Sequence, residues 1–153
     1  MFSPKTRQEL KDAVDACLRL SADCSIGPHG PIGTWDVSRV TDIHAIFYNS
    51  RFNGDISNWD VSQVTDMSSM FALTAAFNGD ISKWNVVLVI EMGNMFYSAT
   101  SFMRSLCGAA WVNLKADKTD MFFDSPGSIS KSPCTTATTT TTGTNVDSVL
   151  PVC

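Results

Sequence analysis

The chain is poor in charge. Lys, Arg, Asp and Glu make up 17% of its 153 residues, and 11 basic against 15 acidic side chains leave a net charge of −4. That balance supplies no basic footprint for nucleic acid, so no nucleic-acid partner is expected. No apolar run approaches the roughly 20 residues of a membrane-spanning helix. The opening "MFSPKTRQELKDAV" has no apolar h-region, so no signal peptide is visible. A processed form, a fragment of a longer array and a chain that is not secreted by that route all fit. There is no N-x-S/T sequon to accept an N-glycan. Histidine is scarce, at two residues. No nucleophile–base set, phosphate loop or isolated carboxylate pair stands out. The expectation is a protein that is not an enzyme, with no catalytic residues, no cofactor and no metal.

Cysteine is present but follows no C-x-x-C pattern: the five lie at Cys17, Cys24, Cys107, Cys134 and Cys153. Two disulfides and a leftover thiol is one reading, with Cys17–Cys24 and Cys107–Cys134 the natural pairs. Five free thiols in a reducing compartment is the other.

What the chain does have is a repeat. "FNGDISNW", Phe52 to Trp59, returns as "FNGDISKW", Phe77 to Trp84. Tryptophans fall at 35, 59, 84 and 111, and a Phe follows each by 11 or 12 residues, at Phe47, Phe71, Phe96 and Phe122. A second Phe closes most units, at Phe52, Phe77 and Phe102. The units divide as 32–55, 56–80, 81–105 and a worn copy at 106–126. A period near 25 predicts a solenoid in which Trp lies on Trp and Phe on Phe. The expected fold class is α/β: a leucine-rich-repeat-like stack of about four coils. In each, "DISNWDV" would form a short parallel strand and "VTDMSSMF" about two turns of helix, capped by Thr65 or Asp66. The tryptophans are assigned to the core, with Trp111 the foremost candidate for an exposed exception.

The ends differ in kind. Residues 3–20 read as one amphipathic helix with a Thr6-x-x-Glu9 capping box, so 1–31 is a capping helix and loop. Residues 127–153 are Ser/Thr-rich and predict a disordered tail or an O-glycosylated stalk.

The pattern "FNxDISxWDVSxVTxMxxMF" resembles the BspA-like leucine-rich-repeat surface proteins and the 25-residue repeat of mycoplasma lipoproteins. The resemblance covers roughly Ile32 to Pro126. The third unit departs from it at "NVVLVIE" and "FMRS". The resemblance implies a surface-exposed or secreted protein of adhesin type, without catalytic residues to carry over.

Two metal readings compete with packing. Met67-x-x-Met70 and Met92-x-x-Met95 could hold a soft metal, but the equivalent slots of the first unit are Ile43 and Ile46, which makes them apolar packing slots. Three aspartate rows, Asp36/Asp60, Asp55/Asp80 and Asp42/Asp66, could hold calcium, but Asx-turns and caps explain them. The positions that vary between units are the candidate binding surface. Arg39 and Gln63 share a slot with Leu88, and Asn58 shares one with Lys83. His44 shares a third with Ser68 and Gly93, and Tyr48 and Tyr97 share a fourth with Ala72. The expected function is binding of a protein or glycan by a monomer. The alternatives are a structural spacer without a ligand, an intracellular scaffold, and a calcium-dependent or hydrolytic protein.

Overall fold

The computed structural model describes residues 1–135. Residues 136–153, which hold most of the Thr-rich tail and Cys153, lie outside that span. The expected leucine-rich-repeat α/β solenoid does not form. Among the described residues the regular elements are helix α1 (Arg7–Leu18), a 3-10 turn at Ile32–Thr34, strand β1 (Ser105–Leu106), the four-residue helix α2 (Ala109–Val112) and strand β2 (Ser128–Ile129). The only sheet among the described residues is β1 paired in parallel with β2. Neither "DISNWDV" nor "VTDMSSMF" becomes a strand or a helix; both are runs of turns. The terms leucine-rich repeat and solenoid therefore do not describe this chain.

The reason lies in where the backbone donors go. In a helix each N–H would bond within its own segment, four residues back. Here Met67, Ser69, Phe71 and Leu73 donate instead to the carbonyls of Glu91, Gly93, Met95 and Tyr97, each 24 positions on, at 2.8–2.9 Å. Ile43, Ala45, Phe47 and Asn49 do the same toward Asp66, Ser68, Met70 and Ala72. Every second residue donates forward, and isolated parallel bridges link Asp42, Asp66, Glu91 and Asp117. To aim alternate donors one way, each unit places two residues in the left-handed region. These are Ala45 and Asn49, Ser69 and Leu73, Asn94 and Ser98, and Asp120 and Asp124, with φ between 51° and 58°. A periodicity of three or four in the apolar positions mimics a helix, but those φ values exclude one.

The Phe52 and Phe77 rings lie over Gly54 and Gly79, where a Cβ would come within 2.7 Å of the ring. The Asn53 side-chain oxygen accepts from Asn78 N–H one unit later, and Asn78 accepts from Met103 in turn. Asp55 and Asp80 accept from the backbone N–H and hydroxyl of Ser57 and Ser82, closing Asx-turns. The Trp59, Trp84 and Trp111 indoles donate to the carbonyls of Ile32, Ile56 and Ile81, each in the unit before.

The core runs through all four units. Phe47, Phe71, Phe96 and Phe122 form one column with ring centroids 5.4–5.5 Å apart. Phe52, Phe77 and Phe102 form a second at 5.9 Å. The expected tryptophan column has no direct ring contact, but all four tryptophans are buried. Trp111, expected to be the exposed exception, is the most buried of them at 1%.

Helix α1 covers the first unit with Leu10, Ala13, Val14 and Cys17. Thr6 Oγ1 caps Glu9 N–H, while Glu9 reaches back to Lys5 N–H rather than to Thr6. The Cys17–Cys24 disulfide ties the helix to the loop that enters the first unit, and Cys107–Cys134 ties the last unit to residues beyond it. Within the segment read as a tail, Ser128 and Ile129 pair with β1 and Ile129 packs against the core.

Candidate functional site

With Trp, Phe, Val and Met turned inward, the residues between them make up the surface. Arg39, Gln63 and Leu88 each follow a turn residue and precede a buried Val, so all three stand exposed at the same phase. Asn58 and Lys83 are exposed and meet at one hollow. It is lined also by Asn53, Asp55, Ser57 and Asp80 and encloses about 390 Å³. The structure thus brings this pair together. Tyr48 is exposed and Tyr97 half-buried, but Ala72 between them is buried, so no open slot separates the two rings.

His44 is half-buried. Its ring Nδ1 lies 2.7 Å from Asp42 Oδ1, which also accepts from the His44 backbone N–H. The Arg7 guanidinium of α1 donates to the His44 carbonyl. The candidate ligand atoms of Asp42, His44 and Asp66 lie within 4.8 Å of one another, the grouping among the described residues with the composition of a cation site. Asp42 and Asp66 share a row in the sequence, but His44 joins Asp66 only across the boundary between units. Each carboxylate already has a protein partner: Asp66 Oδ1 accepts from Ser68 N–H at 2.8 Å and from Ser68 Oγ at 2.6 Å. Asx-turns account for the other aspartate rows as well, and the Asn85 side chain takes the same role toward Val87 N–H.

These turns set the electrostatics. Hydroxyl and backbone donors from Ser38, Ser57, Ser62, Ser82 and Thr119 hold the carboxyls of Asp36, Asp55, Asp60, Asp80 and Asp117 below the ordinary carboxylate range. Ser21 and Ser25 lower Asp23 to about 2. Carboxylates held ionised by neutral donors can bind cationic groups. They are poor proton donors at neutral pH.

Two features escaped the sequence reading. Phe123 is 55% exposed and its ring stacks on Tyr97 at 4.9 Å. The alignment of Asp117 with Glu91 would have found it. Val87, Leu88 and Ile90 stand exposed where the earlier units carry Ser, Arg or Gln, and Thr. Val87 and Ile90 border a groove of about 690 Å³ shared with Ala110 and Leu114. The departure "NVVLVIE" was the signal for it.

No helix among the described residues is long and apolar enough to cross a membrane. No curated protein and no solved structure matches the chain. A family model described as "Mycoplasma protein of unknown function, DUF285" matches residues 17–134, well over half of the sequence, and the chain belongs to that family.

Proposed function

We propose that this chain is a non-catalytic binding module of a surface or secreted protein, taking a protein or glycan on its exposed positions, with kinship to the BspA-like surface proteins. One observation carries this reading. Differences between units concentrate at exposed positions, as at Arg39, Gln63 and Leu88 or Asn58 and Lys83, while the buried Trp, Val and Phe positions repeat. A surface freed from core duty can change partner without changing the fold. The two disulfides favour an oxidising compartment. The motif "FNGDISxW" supports the kinship.

The test is a binding screen of the intact protein against extracellular matrix proteins and a glycan array, repeated with Asn58→Ala/Lys83→Ala. A ligand whose affinity falls with the double substitution, at unchanged melting temperature, supports the reading. Intact mass of the protein from its native source, showing five alkylatable thiols without reduction, would overturn the extracellular placement.

A further inference from the structure

The ladder between units is polar. In every unit the carbonyls of one set of residues face back and the N–H groups of the next set face forward. Met92, Asn94, Phe96 and Ser98 donate to the carbonyls of Asp117, Thr119, Met121 and Phe123 at 2.8–2.9 Å. The fourth unit keeps the same conformation, with Asp120 and Asp124 left-handed as Asn94 and Ser98 are. Its forward donors are the N–H groups of Lys118, Asp120, Phe122 and Asp124. The Lys118 N–H turns to the Asp117 carboxylate; among the described residues the other three have no hydrogen-bond partner. The carbonyls of Lys118, Asp120 and Phe122 are already taken by Met121, Phe123 and Ser125. The last unit therefore ends in a row of donors only.

An open row of this kind is a template for pairing, and successive N–H groups in alternating right- and left-handed conformation attract acceptors. Free anions are disfavoured by the exposed carboxylates of Asp117, Asp120 and Asp124 along the same edge. The one cation among them, Lys118, turns its ammonium to the carbonyls of Leu114 and Ala116. A second copy of this chain is also disfavoured. Its own open edge offers donors, and at its other end the His44 carbonyl is already taken by Arg7 of α1.

We infer that the Asp120–Asp124 edge docks an extended, basic segment of a partner polypeptide, one that offers backbone carbonyls and few N–H groups toward the edge. Backbone carbonyls fill the donor row, and Lys or Arg side chains meet Asp120 and Asp124. The outer face of the Phe122 ring and the exposed Phe123 add apolar contact beside them. Proline-interrupted segments fit best, because their carbonyls are solvated and proline carries no donor. This inference deepens the binding reading above and rests on it for the polypeptide nature of the partner.

The experiment uses the full chain and two probes, Ac-(Lys-Pro)4-NH2 and Ac-(Glu-Pro)4-NH2, with amide hydrogen exchange followed residue by residue. The lysine peptide should slow exchange at Asp120, Phe122 and Asp124 by at least about tenfold. Asp120→Asn/Asp124→Asn keeps residues that tolerate a positive φ and should weaken that binding by about fivefold, without moving the melting temperature. Equal protection by the glutamate peptide, or none by the lysine peptide, overturns the inference. So does protection of these three amides in the unliganded chain, which would mean that the edge is filled from within. Binding that maps to Asn58 and Lys83 instead would overturn it while leaving the wider reading intact.

Discussion

The indole N–H of Trp59 donates to the carbonyl of Ile32, 27 residues earlier, at 3.0 Å inside the core. The same bond recurs from Trp84 to Ile56 and from Trp111 to Ile81. Each tryptophan thus serves its neighbour as well as its own unit. Trp59→Phe would remove one of the two donors to the Ile32 carbonyl, leaving the Trp35 N–H, and open a void beside it. A loss of about 2–4 kcal/mol is expected. Chemical denaturation should show a lower midpoint with an unchanged slope, while Asn58→Ala next door leaves the midpoint where it is.

Ser69 holds a φ of 54° in the second unit, and its N–H bonds to the Gly93 carbonyl. Left-handed backbone costs a residue with a Cβ about 1–2 kcal/mol, and a β-branched one more. Ser69→Gly is expected to be neutral or stabilising by up to ~1 kcal/mol, whereas Ser69→Val should destabilise by at least ~2 kcal/mol. Were "VTDMSSMF" helical, the glycine variant would be the worse of the two. Melting temperatures of the pair decide the matter.

The disulfides close loops of different length, with sequence separations of 7 for Cys17–Cys24 and 27 for Cys107–Cys134. Chain-entropy reasoning assigns about 2–3 kcal/mol to the first and about 3–4 kcal/mol to the second. Replacing Cys107 and Cys134 by serine should therefore lower stability more than replacing Cys17 and Cys24, as read by urea midpoints of the two variants.

Acid should loosen the fold through its Asx-turns. The carboxyls of Asp36, Asp55, Asp60, Asp80 and Asp117 lie below the ordinary 3.8 when folded, and Asp23 lies at about 2. A depressed folded pKa means that the unfolded chain takes up protons first. The contribution is thus complete above 3.8 and is lost as pH falls toward 2. Melting temperature should be flat from neutral pH to about 5 and then fall. Asp60→Asn keeps the turn, as Asn85 does in the third unit, and should flatten part of that fall.

Much of the core was legible in the sequence. The phase of Trp35, Trp59, Trp84 and Trp111, together with the paired phenylalanines, marked the buried positions correctly, since large apolar residues recurring at one phase have nowhere else to go. The Asx-turn reading of Asp55 and Asp80 also holds, because Asp-x-Ser closes locally whatever surrounds it. The backbone between those positions was not legible. Apolar spacing of three or four in Met67, Met70 and Phe71 looks the same whether N–H groups bond within a segment or across to the next unit. Ser69 and Leu73 carry no glycine-like mark of their positive φ. Of the candidate surface, the meeting of Asn58 and Lys83 followed from the period. The approach of His44 to Asp66 and the open edge at Asp120 and Asp124 depended on a cross-unit register that only the structure supplies.

The two disulfides sit near opposite ends of the described residues, at Cys17–Cys24 and Cys107–Cys134. Chain ends are where local opening starts, because the least packing holds them. Here α1 is bolted to the entry loop through Cys17 and Cys24, and the last unit to Cys134 through Cys107. Peeling is blocked where it would begin. The oxidised chain should resist proteases as a single object and, on reduction, be trimmed from its ends toward the Phe71–Phe96 centre.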